Sequence, residues 1–362
     1  ASDNVNHSQS MYVIENLEEL KKFKKNWLSL YSKAHVKNIF NSYEWVSIWA
    51  ENYKRHIEQL FIITFEIRSE LVAIIPLYIR KGDKSKLWYV GSGEPLDAES
   101  CSEGHDILCL TDEIRPNISL LRAVFSEYKI KNIMLTNIRQ HSLLLKWIEL
   151  ERFKFIKNKI GFRFYSPTLP HDDKLAKKTV RGRRNADKLN LVIRRVETVG
   201  DLEKVFPSLV RLNSERWKEK GDKAIFENHT FRHFHYSLTR ALLISDKLSM
   251  VLIEDKDEII AVNYSIISGE DLIFYQNGVN IKYKPNISPG LILHHYQYCI
   301  AQSMKLDSYD FMTSADPNNY KKNITSHSEI IYELDVFLNI NSYALSKAKS
   351  LSKHFFKRII SA

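Results

Sequence analysis

Apolar and polar positions alternate in the same order twice along this chain. Phe65–Leu77 (FEIRSELVAIIPL) and Ile253–Ser265 (IEDKDEIIAVNYS) each read as a strand, a tight charged turn and a second strand. Glu66, Glu70 and Ala73 of the first line up with Glu254, Glu258 and Ala261 of the second. Upstream of each hairpin lies an Ile-Phe loop, Ile39-Phe40 in "NIFNSYEW" and Ile225-Phe226 in "AIFENHTF". A helix-like segment carrying Trp27 or Trp217 precedes each loop. Helix, loop, helix and hairpin thus recur at nearly constant offset, which points to a tandem duplication.

Both halves continue alike. Strand-like runs follow at Lys86–Gly91 and Asp271–Val279, helical ones at Arg115–Tyr128 and Ser288–Met304, and short strands at Lys131–Asn137 and Asp307–Thr313. Ser328–Phe337 reads as a last strand. Early strands joined by hairpins predict an α/β protein of α+β type, in which two mostly antiparallel mixed sheets are flanked by helices. The pattern divides the chain into a disordered tail (1–10), a first domain (11–170), a basic bridge (171–200), a second domain (201–340) and a C-terminal helix (341–362).

A length of 362 residues suits two domains, and 44% hydrophobic with 27% charged residues is ordinary for a globular protein. No apolar run approaches the roughly 20 residues needed to cross a bilayer. The polar start lacks a signal-peptide core. Cys101, Cys109 and Cys299 form neither a disulfide framework nor a zinc pattern, so a reducing, cytoplasmic setting is expected. The net charge of +10 favours an anionic partner such as a nucleotide, coenzyme A, tRNA, an acidic glycan or a membrane surface. Nine Lys or Arg residues lie between Asp172 and Val196, either as a solvated helix face or as a basic rim beside an anionic ligand.

The motifs "RWKEKG" (Arg216–Gly221), "EDKDEIIAVNYSI", "DLIFYQNGV", "ISPGLILHHYQYCI" and "YDFMTSADPNNYKKNI" (Tyr309–Ile324), with "NIFNSYEWVSIWAENY" in the first half, carry a family likeness. The chain resembles the acetyltransferase-like proteins of bacterial exopolysaccharide, capsule and cellulose gene clusters. These are tandem GNAT folds related to the Fem-type peptidyltransferases. The resemblance implies a GNAT-like acyltransferase with acyl-CoA, acetyl or longer, as co-substrate and an amino or hydroxyl group of a sugar or glycolipid as acceptor. One motif departs from the family. The standard Gln/Arg-x-x-Gly-x-Gly/Ala pyrophosphate loop is replaced by "KPNISPG", which keeps only Gly290.

In that stretch Ser288 reads as a helix N-cap and Pro289 as the first helical residue, where its missing N–H costs nothing. Gly290 admits a close ligand. Free N–H groups of Gly290 and Leu291, together with the helix dipole, form an anion site that Lys284 and Lys282 precede. A capped helix without a ligand is the alternative. His294 and His295 cannot share a face, so one turns toward the site and the other packs or meets solvent. Neither has a carboxylate or second histidine at i+4, and no metal is expected. Acyl transfer needs a base, an oxyanion donor and a proton for the leaving group. Asp310 is the first candidate base, with His294 or His295 behind it. Tyr275 is a candidate proton donor, and Asn263, Tyr320, Lys321 and Trp217 are candidate substrate contacts. His105 and Asp106 are weaker candidates in the first half.

The tail from Ser342 carries Lys347, Lys349, Lys353, Lys357 and Arg358 and no acid, with apolar positions at helical spacing. It reads as a basic amphipathic helix for an anionic membrane surface, or as a helix docked on its own domain. Two rival functions stay open. One is a Fem-type transfer from aminoacyl-tRNA. The other is a catalytically degenerate GNAT that only binds.

Overall fold

The computed structural model describes residues 8–283, 286–316, 318–325 and 327–360. In chain order the elements begin with β1 (Gln9–Ile14), α1 (Leu17–Lys22), α2 (Lys24–Lys33), α3 (Tyr43–Asn52), β2 (Ile57–Ile67), β3 (Glu70–Arg80), β4 (Lys86–Tyr89) and β5 (Leu108–Cys109). Next come α4 (Ile118–Glu127), β6 (Asn132–Arg139), α5 (Leu143–Leu150), β7 (Lys154–Pro167), α6 (Lys174–Lys188), β8 (Val192–Arg195), α7 (Val199–Glu219) and α8 (His229–Ile244). The chain ends with β9 (Leu248–Asp255), β10 (Glu258–Ser268), β11 (Asp271–Val279), α9 (Pro289–Ser303), β12 (Ser308–Ser314), β13 (His327–Phe337) and α10 (Ile340–Ile360).

Two compact units result. One holds the described residues up to Gly93, Cys101–Ile160 and those from Ile331 on; the other holds Glu94–Ser100 and Gly161–Ile330. After the short excursion at Glu94–Ser100, the chain enters the second unit inside β7 and leaves it inside β13. The boundaries expected near 170 and 340 therefore fall elsewhere. Periodicity identifies a strand but not the strand it pairs with, and Ile331–Phe337 pairs with β6 of the first unit. The expected bridge is not a linker, because α6 and β8 belong to the second unit. Of the expected N-terminal tail, Gln9 and Ser10 pair with Ile67 and Glu66 as the start of β1; residues 1–7 lie outside the described residues.

The first unit orders its strands β1-β2-β3-β4-β6-β13, with β5 on β3. The second orders them β7-β12-β11-β10-β9-β8. Each is antiparallel except for one parallel pair, β4 with β6 and β11 with β12. The repeated motifs fold alike. Both Ile-Phe loops are single 3₁₀ turns, Ile39–Asn41 and Ile225–Glu227. Both hairpins turn on two residues of positive φ, Arg68 and Ser69 (51° and 63°) and Lys256 and Asp257 (48° and 70°). That turn matches the right-handed twist of the strands it joins. Strand β3 is buried almost throughout, so both of its faces are covered, and its apolar run is nearly continuous.

No described helix is long and apolar enough to cross a membrane. On α10, Tyr343 meets Phe337 edge-on at 5.6 Å. Leu345 and Leu351 stand 59% and 64% exposed, so those two positions are not docked.

Helix α7 is pressed onto the end of β11 at Gly278. A Cβ there would stand 2.7 Å from Leu212 Cβ and 2.8 Å from both Asn213 N and Leu209 O. Asn213 Nδ2 also donates to Asn277 O at 2.7 Å. Gly278→Ala is expected to destabilise the protein by about 1–3 kcal/mol, since backbone cannot yield as a side-chain tip can. Denaturant unfolding checks this, and a neutral effect would mean that α7 is not held by this contact.

Candidate active site

Strands β11 and β12 run parallel over only three residue pairs, Asp271–Ser308, Leu272–Tyr309 and Ile273–Asp310. Beyond them each strand bulges. On β11, Tyr264 and Ser265 of β10 face Gln276 and Phe274, which leaves Tyr275 as the extra residue. On β12, Asp310 and Thr313 face Tyr165 and Arg163 of β7, and Met312 takes a φ of 65°. A bulge bends its strand, so the two part. Into the gap α9 sends His294, whose ring lies 4.7 Å from Phe274 and 5.1 Å from Phe311.

The mouth of α9 opens beside the parted strands. Ser288 caps this helix differently from the expectation. It sits in the left-handed region (φ 52°, ψ 67°), and its side chain caps nothing. Its carbonyl instead accepts from Leu291 N (3.1 Å) and Ile292 N (3.2 Å). The Leu291 N–H expected to be free is therefore used, while Gly290 N–H has no acceptor among the described residues. Helix α6 holds this mouth from behind at Gly182, where a Cβ would stand 2.5 Å from Ile287 O. A cleft of about 400 Å³ results, lined among others by Arg216, Asn277, Ser288, Gly290, His294 and Tyr320 and, among the described residues, by no Asp or Glu.

The other expected residues lie elsewhere. Asp310 is 1% exposed. It pairs with Arg163 Nε at 2.5 Å and accepts from Met312 N at 2.6 Å. Both carboxylate oxygens are engaged in holding the β12 bulge, so Asp310 is not placed as a base. Arg163 also faces Glu329 at 3.7 Å and Asp271 at 4.0 Å. Tyr275 turns toward α8, its hydroxyl 3.1 Å from His235 Nε2 and donating to Ser100 O. It does not face the cleft. His295 points toward α6, its Nε2 3.7 Å from Cys299 Sγ. Burial first, then Arg183 and His171, push its pKa down to about 4. Asn263 is buried behind His294. Trp217 is 36% exposed and covered by Lys220 at 5.1 Å rather than by the cleft. Lys284 lies outside the described residues. Lys321 Nζ donates to Phe311 O at 2.6 Å, closing the β12 bulge next to the cleft. Tyr320 stands 51% exposed at the cleft, and partial desolvation, which Arg216 opposes, holds its phenol above its ordinary value, so it stays protonated.

Residues 173–322 match the model of the acetyltransferase (GNAT) domain family. The second unit has the GNAT fold. No curated protein matches the sequence. Among solved structures, FemX is similar at 12% identity over 89% of this chain and 98% of its own, with a TM-score of 0.55. A conserved protein from Bacteroides thetaiotaomicron is similar at 11% identity over 90% and 100%, with a TM-score of 0.52. The C-terminal domain (DUF2156) named for a lysylphosphatidylglycerol synthetase from Agrobacterium fabrum is similar at 11% identity over 92% and 96%, with a TM-score of 0.50. At such identities the likeness speaks for the fold alone.

The first unit repeats the parallel three-pair contact in β4 and β6 but fills the space beyond it with its own chain. His105 N donates to Asn137 O at 2.7 Å, and the His105 ring stacks on Tyr89 at 4.2 Å. Asp106 accepts from Leu143 and Leu144 N at the start of α5. Helix α4 is capped by Asn117, which accepts from Leu120 N. Neither His105 nor Asp106 therefore faces an open cleft like that of the GNAT unit.

Arg216 was missed as a site residue, although the sequence carries its signal. Leu209, Leu212 and Asn213 form the buried stripe of α7, and Arg216 continues it at i+3 and i+4. A cation on an apolar stripe needs an acceptor. Among the described residues only Asn277 Oδ1 approaches Arg216, at 3.5 Å.

Asp310→Asn is expected to cost about 3 kcal/mol of stability, the low end for breaking a buried pair, because Glu329 and Asp271 still face Arg163. Chemical denaturation measures it. A stable variant with turnover lowered by about 10²-fold or more would instead restore Asp310 as the base.

Proposed function

We propose that the second unit transfers an acyl group from an anionic, activated donor seated in the α9 cleft. The observation that carries this is a cleft that has, among the described residues, an arginine lacking an acidic partner, an open helix N-terminus and no carboxylate. Such a lining suits phosphate or carboxylate oxygens. The donor we assign is acyl-CoA, and the acceptor is an amino or hydroxyl group of a sugar or glycolipid, as the sequence resemblance implies. Holding the two substrates together supplies most of the gain. The parted edge of β11 beside its bulge offers backbone N–H groups for the oxyanion. To Tyr320, which lines the cleft and stays protonated, we assign the role of giving the leaving group its proton. With no carboxylate in the cleft, an amine acceptor enters as the free base or loses its proton to water.

A second reading rests on α6. Lys178, Arg181, Arg184 and Lys188 are exposed along it, with no acidic partner among the described residues. A stripe of this kind suits a polyanion, and it favours an aminoacyl-tRNA as donor. Calorimetric titration with acetyl-CoA separates the two readings. Binding should occur and should weaken about tenfold or more in Arg216→Met, the scale of a lost charge-assisted hydrogen bond. If acetyl-CoA fails to bind and salt-sensitive tRNA binding appears, the tRNA reading stands. Binding without turnover on any acceptor would favour the degenerate binding protein.

The exposed Leu345 and Leu351 beside Lys347, Lys349 and Lys353 also support a membrane-surface role for α10. Each basic residue near an anionic surface contributes on the order of 1 kcal/mol. Deleting residues 340–362 is expected to abolish low-salt co-sedimentation with phosphatidylglycerol vesicles. Equal sedimentation with and without the segment would dismiss the role.

A further inference from the structure

Behind the cleft lies a buried row of polar side chains on β9, β10, β12 and α9. The two amides in it, Gln297 and Asn263, have only one consistent orientation. Gln297 Nε2 lies 2.8 Å from the backbone carbonyl of Ser249, which can only accept. The Gln297 amide is thereby oriented, and its Oε1 takes the Ser249 hydroxyl at 2.7 Å. Gln297 Nε2 also lies 3.1 Å from Asn263, so the Asn263 atom it meets is the oxygen. Ser265 Oγ donates to that oxygen at 2.7 Å. Asn263 Nδ2 must then face the Tyr309 hydroxyl, 3.1 Å away, as donor. The Tyr309 hydroxyl, which also meets Ser265, lies 2.8 Å from His294 Nδ1 and can donate to it. Asn263 Nδ2 is a second donor 3.4 Å from the same nitrogen. With the oriented Asn263 amide presenting its N–H groups on that side, Nδ1 is the accepting nitrogen, and in the neutral ring the proton sits on Nε2.

His294 is only 3% exposed, yet it lines the cleft. Its Nε2 has no partner among the described residues. We propose that His294 is a fixed Nε2–H hydrogen-bond donor to an anionic oxygen of the ligand in this cleft, its tautomer set by the chain of oriented amides that starts at the Ser249 carbonyl. This excludes His294 as the general base. A neutral ring that gives its Nε2 proton to a ligand oxygen has no lone pair left to take another. Arg216, on the same cleft wall, supplies the positive charge that such an oxygen needs. Burial pushes the His294 pKa down to about 3, and the charges of Lys321 and Arg216 act in the same direction, so the ring stays neutral. The inference rests on the cleft of the proposed function but not on acyl-CoA as the donor.

Histidine ¹⁵N spectroscopy of the ligand-free full chain tests the tautomer directly. The expected result is a protonated Nε2 and an unprotonated Nδ1, unchanged between about pH 5 and 8, where an ordinary histidine titrates. An unprotonated Nε2, or a titration in that range, overturns the proposal. Asn263→Asp, of equal shape, puts an acceptor where Nδ2 stood. Tyr309 should then turn its proton to the introduced carboxylate and leave His294 with Nδ1–H. If this variant keeps the wild-type tautomer, the chain is not what sets it; if it does not fold, the wild-type spectrum still decides. For the ligand, inorganic pyrophosphate serves as the phosphate probe and acetate as the carboxylate probe. A shift of the Nε2 proton with one of them identifies the class, and no shift with either overturns the assigned ligand. His294→Gln, whose amide can donate from a similar point, should hold the responsive probe within about threefold, while His294→Ala loses about tenfold, as for one hydrogen bond. Failure of acetyl-CoA to bind while the tautomer and probe results stand would count against the donor assigned above, not against His294.

Discussion

The parting of β11 from β12 is the constraint on which the second unit is organised. Two strands that separate after three residue pairs leave backbone donors and acceptors along both edges, and such groups are costly if buried without partners. The chain answers on each side. Asp310 takes the Met312 N–H, and Lys321 takes the Phe311 carbonyl. Arg163, itself buried, holds Asp310 in place. Phe274, His294 and Phe311 then fill the interior of the wedge and leave the outer part to the cleft. The carboxylate with the strongest sequence case for chemistry is thus committed to keeping the strands apart.

The two units show what such a wedge becomes when it is closed or left open. Each buries a histidine beside its parallel pair, and burial pushes both pKa values down to about 3. In the first unit His105 Nε2 lies against Ser102, 2.9 Å from its hydroxyl and 3.1 Å from its carbonyl, while Tyr89 covers the ring. In the second, the internal hydrogen bonds of His294 go to Nδ1, and the ring borders the cleft. The helix after each wedge differs in the same sense. Asn117 caps α4 with its side chain, whereas Ser288 leaves the start of α9 without a side-chain cap. The two halves thus share the order of their elements, but an opening of this kind beside the wedge lies, among the described residues, in the second.

Charge is distributed to match. Acidic groups near the site are used internally: Asp310 on Arg163, and Asp255 on the Tyr283 hydroxyl at 2.6 Å. The cleft wall carries Arg216, with Lys321 close by, and acquires a donor from a neutral histidine. A lining rich in donors and poor in acceptors discriminates for oxygen-rich ligands, because a ligand without acceptors would leave those donors desolvated and unmet.

Local order was legible in the residues themselves. The paired hairpins, the two Ile-Phe turns, the tryptophan-bearing helices and the Ser-Pro-Gly start of α9 follow from periodicity, turn chemistry and the fixed φ of proline. These act within a few residues of one another. What the sequence left open were partners far apart in the chain. Arg163 and Asp310 stand 147 positions apart, so nothing local distinguishes a paired carboxylate from a free one. The choice between His294 and His295 depended on which neighbour each side of α9 would meet, β12 or α6. The Leu291 N–H is taken by the carbonyl of a left-handed Ser288, a backbone state that accompanies the packing of α6 against Ile287 and that no local signal specifies. The sequence by itself determined the repeated hairpins, turns and helices and where a helix opens onto a possible ligand, but not β7, whose Arg163 holds the site. Only the tertiary structure decided which polar groups are already satisfied. Hydrogen bonds and ion pairs are short-ranged in space but indifferent to separation along the chain.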